Sequence, residues 1–75
     1  MAQFTSMSGA EAVRMFAKAW WMVVGRFGGH VLMSKPDIRV GLSIPQQKML
    51  SARTMRALVE HAGMTAEQFF FSELM

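Results

Sequence analysis

The stretch "IRVGLSI", residues 38 to 44, constrains this chain more than any other. Ile38, Val40, Leu42 and Ile44 fall at every second position, and Arg39, Gly41 and Ser43 fill the places between them. A period of two puts the four apolar side chains on one face of an extended strand and leaves the other face wet. One strand cannot bury its own apolar face, so the chain must supply neighbouring strands and a second layer. Pro45 ends the pattern, because proline has no N–H to give to a ladder. Ile38, Val40, Leu42 and Ile44 are therefore expected to face helices, with Arg39 and Ser43 in solvent.

Two shorter runs precede it. Trp21 to Val24 is aromatic and β-branched, and stops at Gly25. His30 to Ser34 follows a Gly28-Gly29 turn and leads into a second turn at Lys35-Pro36-Asp37. Together the three runs read as an antiparallel meander.

Helices flank it. "SGAE", Ser8 to Glu11, has the spacing of a capping box, with a serine N-cap and a glutamate three residues on. A helix is expected from about Gly9 to Ala19, with Val13, Phe16, Ala17 and Trp20 as its apolar stripe. Ser51 is a second N-cap, followed by Met55, Leu58, Val59 and Ala62 at helical spacing. Gly63 stands where a left-handed terminus is expected. Thr65 and Gln68 repeat the capping-box spacing before a short helix reaching about Leu74. Residues 1 to 7 read as a flexible tail. The "FFF" at 69 to 71 cannot point one way on a helix, so at least one ring should lie outside. The expected fold is α+β: a two-layer α-β-β-β-α single domain over residues 1–75, a three-stranded antiparallel sheet with helices on one face.

Composition narrows the function. With no cysteine there is neither a disulfide framework nor a thiolate metal site or nucleophile. The apolar stretch from Ala17 to Val24 falls far short of the ~20 residues that a membrane span needs. The first ten residues lack the basic-then-apolar pattern of a secretory signal. A cytoplasmic protein without membrane contact is expected. His30 and His61 are the only histidines, and neither has a carboxylate at ligand spacing, so no metal or other cofactor is expected. The net charge of +3 leans towards a polyanionic partner. Arg26, Arg39, Lys48, Arg53 and Arg56 are the candidates for phosphate contact, with Arg39 read as ordinary solvated surface. His61 closes a helix, where it suits the terminal carbonyls. His30 is the candidate for chemistry: Gly28 and Gly29 permit positive φ and leave no side-chain bulk beside the imidazole.

An ordered set of residues resembles the HicA-type toxins of bacterial toxin–antitoxin systems. The set is Gly28-Gly29-His30, Ile44-Pro45, Lys48, Leu50, Thr54-Met55-Arg56 and Ala62-Gly63-Met64, and the resemblance covers about Ser8 to Phe70. It implies a double-stranded-RNA-binding-like fold and metal-independent endonuclease cleavage of mRNA, with His30 as the catalytic general acid/base. It also implies RNA contact around Arg26, Gly28, Gly29, Lys48, Arg53 and Arg56, and a HicB-like antitoxin partner. The chemistry needs no metal, because RNA carries its own nucleophile in the 2′-hydroxyl and an imidazole can move the proton.

The chain departs from the family's pattern at Gly25 and Phe27, where basic residues are usual. It also departs at Gln47 and Met49, and at Trp20 and Arg53, which replace frequent glycines. Basic charge is thinned and apolar surface gained, which suits an alternative: a weakened or inactive HicA-fold protein serving as an interaction or RNA-binding module. Phe27 and His30 are then expected at an interface with an antitoxin-like partner or a second copy of the chain.

Overall fold

The computed structural model describes residues 4–71. Helix α1 (Gly9–Lys18) is followed by strands β1 (Met22–Phe27), β2 (His30–Lys35) and β3 (Ile38–Pro45), then by α2 (Ala52–His61) and α3 (Ala66–Phe71). The strands form one antiparallel sheet in the order β1-β2-β3, as the α+β meander requires. Among the described residues no helix is long and apolar enough to cross a membrane.

The helix starts follow from local hydrogen bonding. The Ser8 N–H donates to Glu11 Oε1 and the Glu11 N–H donates to Ser8 Oγ, both at 3.0 Å. The bond from the Ser8 N–H to its carboxylate, first, and then the Ser8 side chain and Arg14 hold the Glu11 carboxyl below its ordinary pKa. The Thr54 N–H donates to Ser51 Oγ at the start of α2. Thr65 and Gln68 exchange the same reciprocal pair of bonds at the start of α3. Gly63 has φ +75, the left-handed terminus expected after α2.

One core joins the layers. Val31 and Met33 of β2 and Leu42 and Ile44 of β3 are buried against Ala12, Met15 and Phe16 of α1, Met55 and Val59 of α2, and Phe69 of α3. Phe16 lies 4.9 Å from Phe69 and 6.2 Å from Trp21, centroid to centroid. The Trp21 indole Nε1 is buried and has no partner among the described residues. The phenylalanine run splits as helix geometry demands: Phe69 is buried, Phe70 half-buried and Phe71 exposed.

The structure corrects several expectations. The buried stripe of α1 is Ala12, Met15, Phe16 and Ala19, while Ala17 and Trp20 are exposed and Val13 is half-buried. Both stripes have i, i+3, i+4, i+7 spacing, so periodicity alone could not choose between them. Helix α1 ends at Lys18, and Trp20 turns out of it at φ 74. Trp21 is core rather than strand, and β1 runs through Gly25 to Phe27. A bulge at Val24 lets the strand continue past the glycine. In β3, Leu42 and Ile44 face the helices, but Ile38 and Val40 remain 40% and 43% exposed. The start of β3 extends past the helical layer. The chain is tied down from Phe4, which packs on the core and against Phe70, while Met7 pairs with Leu50. A flexible tail therefore does not extend to residue 7. The expected end of α3 at Leu74 lies outside the described residues.

Candidate active site at the first hairpin

The site begins with a two-residue turn. Gly28 and Gly29 both have positive φ, +55 and +80, as a type I′ hairpin requires at its two central positions. A Cβ at either position would meet nothing within 4 Å. The glycines are there for backbone conformation, and the space around them is already open.

This turn sets Phe27 and His30 directly opposite each other, and His30 in turn faces Pro45 of β3. Val31 and Met33 point into the core, so alternation puts His30, Leu32 and Ser34 on the sheet face that carries no helix. Phe27, His30 and Pro45 thus form one row across all three strands on the open face. Gly25, Leu32 and Ser43 form the next row.

The imidazole is held by its own turn. His30 Nδ1 lies 3.2 Å from the Gly28 carbonyl oxygen. A carbonyl can only accept, so Nδ1 is the donor in this bond, and Nε2 is the ring nitrogen left to exchange a proton with a substrate.

The surroundings are tied to the hairpin from behind. The Gln46 N–H donates to the Gly29 carbonyl at 2.9 Å, and the Gly9 N–H donates to the Gln47 carbonyl at 2.9 Å. A Cβ on Gly9 would collide with the Pro45 carbonyl and the Gln46 backbone. Only glycine lets the start of α1 lie this close to the loop after β3.

The candidate residues separate into two groups. Phe27, Gly28, Gly29 and His30 come together at the hairpin, and Lys48 is exposed in the loop bound to it. Arg26 pairs with Val31 and so belongs to the opposite sheet face. Arg53 is exposed in the first turn of α2. Arg56, one turn further on, has Nε 3.3 Å from Glu60 Oε2. Arg39, expected as ordinary solvated surface, is exposed, and strand alternation puts it on the open face with Gly41 and Ser43, at the end of the sheet away from His30.

Charge on this face has one sign. Residues 12 to 36 and 38 to 59 contain no Asp or Glu, so none of the three strands carries a carboxylate. Asp37, the one acidic residue between those spans, sits in the turn at the other end of β2.

A groove of 1020 Å³ lies at that other end, lined by Trp20, Lys35, Ile38, Met64 and Phe71 among others. Five residues of strand, about 16 Å at the usual rise, separate Lys35 from His30. The groove and the histidine are separate features. The chain matches no family model, no curated protein and no solved structure.

Proposed function

We propose that this protein is a HicA-like, metal-independent endoribonuclease that cleaves mRNA with His30 as its proton-transfer group. The observation that carries the reading is the placement of His30. It stands on an open, carboxylate-free sheet face with Nδ1 held by the Gly28 carbonyl, which leaves Nε2 to accept a proton. In the reaction Nε2 takes the proton of a ribose 2′-hydroxyl. The 2′ oxygen bonds to the adjacent phosphorus, the bond from phosphorus to the 5′ oxygen breaks, and the proton ends on that 5′ oxygen. The products are a 2′,3′-cyclic phosphate and a 5′-hydroxyl. Lys48, in the loop bound to the hairpin, supplies positive charge for the phosphate as negative charge builds on it.

A backbone feature supports the resemblance independently of composition. Trp20 stands where HicA-type toxins frequently have glycine, and its φ is 74, a conformation that favours glycine. A HicB-like antitoxin is the partner this reading includes, and the cytoplasm, where mRNA is translated, is its setting.

Incubating the purified protein with end-labelled single-stranded RNA and excess chelator tests the reading. Cleavage to cyclic-phosphate ends that is lost in His30→Ala is the expected result. Intact RNA after prolonged incubation would end it. The exposed apolar groups of the β1 edge, Met22, Val24 and Phe27, favour one second reading, a non-catalytic interaction module. Intact RNA together with a stable protein complex would support that module instead.

A further inference from the structure

We infer that Phe27 is a stacking platform for a nucleobase of single-stranded RNA, beside the phosphate that His30 would attack. The inference rests on the ribonuclease reading and adds to it a substrate form and a residue that holds it.

The register places Phe27 directly across from His30 at the closed end of the hairpin. Directly opposed residues of an antiparallel pair have Cβ atoms about 4.5–5.5 Å apart and project from the same face. Here that face is the one without helices, and Phe27 is 78% exposed on it. Its neighbours along and around the strand are low. Gly25 has no side chain, and Gly28 and Gly29 have open space where side chains would be. On the far side of the imidazole stands Pro45, an apolar ring that cannot compete for a proton. The result is an aromatic face next to a hydrogen-bonding group, with cleared ground around both.

A single exposed phenylalanine needs no explanation by itself. The surrounding charge indicates an occupant. No strand carries a carboxylate, and Lys48 is exposed in the loop that Gln46 ties to Gly29, while Arg39 lies at the far end of β3, next to the Ile38 that pairs with Lys35. An exposed aromatic ring on a face that carries cations and no acids is the composition that holds single-stranded nucleic acid: cations track the backbone and the ring stacks a base. A duplex is excluded from this arrangement, because its bases are already stacked on one another and turned inward. The occupant is therefore an unpaired RNA segment with one base on Phe27 and the adjoining ribose and phosphate at His30 Nε2.

Binding of the full-length protein to a short, fluorescent, uncleavable 2′-O-methyl single strand tests this without depending on catalysis. Phe27→Ala should weaken binding by roughly 5- to 150-fold, the range for loss of one base–aromatic stack. Phe27→Trp should keep or strengthen it. The loss should be nearly independent of salt, whereas Lys48→Ala should lower the salt dependence. On a strand made abasic throughout, Phe27→Ala and wild type should bind alike. Thermal melting of Phe27→Ala close to that of wild type establishes that the fold is intact, as expected for so exposed a side chain.

Equal binding of wild type and Phe27→Ala to the normal strand would overturn the inference. So would equal losses on the normal and abasic strands, or a loss of protein self-association with RNA binding unchanged. In each of those cases cleavage by wild type and its loss in His30→Ala leave the ribonuclease reading standing. No binding and no cleavage by wild type would remove both.

Discussion

The two hairpins of this sheet are built to different rules. The first turns on Gly28-Gly29, positive in φ at both positions, and its backbone twist matches that of the strands it joins. Pairing is regular from Phe27 and His30 as far as Gly25 and Leu32. The second turns on Pro36-Asp37, with φ positive at Asp37, 70°, and Pro36 in the preceding position, the pattern of a type II turn. Turns of that hand splay the strands they join, and the register slips at once between Met33 and Lys35. That slip accompanies the exposure of Ile38 and Val40. Turn chemistry therefore decides how far order propagates. The matched turn presents Phe27 and His30 in a defined geometry, and the mismatched turn opens onto a groove lined by Trp20, Lys35 and Ile38.

The largest test of this contrast is catalytic. His30→Ala should lower RNA cleavage by on the order of 10²–10⁴, the usual worth of one proton-transfer group. Lys35→Ala, at the far end of the same strand, should leave the rate within about twofold. Equal losses from the two would show that activity does not reside at the first hairpin.

The next effect is on stability. Gly9→Ala forces a Cβ into the Pro45 carbonyl and the Gln46 backbone, overpacking a fixed contact. It should cost roughly 1–3 kcal/mol in urea unfolding. Hydrogen exchange at the Gln46 amide, which is bonded to Gly29, should rise with it.

The turns themselves should respond in opposite directions. Gly29→Val places a β-branched residue at φ +80 and should cost about 1–2 kcal/mol. Asp37→Gly removes a side chain from φ 70 and should gain up to about 1 kcal/mol, offset in part by the freedom that glycine has in the unfolded chain. A loss from both substitutions would mean that Asp37 contributes more than a turn.

The smallest effect concerns acid. Because Glu11 has a lowered pKa in the folded protein, its contribution is complete above the ordinary value of 4.5 and is lost as pH falls through the folded value. Glu11→Gln should flatten the stability profile below about pH 4.5 and change the response of the first hairpin little. Thermal melts of the two proteins across pH 2.5 to 6 would check it. The Thr65–Gln68 box, which has no titrating carboxyl, provides the internal contrast.

Much of the fold was legible in local pattern. The capping boxes at Ser8–Glu11 and Thr65–Gln68, the left-handed Gly63, the two turns and the order of the elements each depend on residues a few positions apart. Their physics is complete within the segment. Of the site, the Gly28-Gly29 turn and His30 were legible for the same reason, since a two-residue turn fixes its flanking pair. What only tertiary structure decided were choices between equivalent local patterns. Ala12, Met15, Phe16 and Ala19 were buried in place of a second stripe of identical spacing, because the sheet and α3 meet α1 from that side. Trp21 became core, and Ile38 and Val40 stayed exposed despite perfect alternation, because the helical layer covers only the Leu42–Ile44 end of their face. Pro45 and Ser43 joined His30 and Leu32 on the open face through strand register, and no local window contains that register. Periodicity states which residues share a face; burial depends on what the rest of the chain lays against it.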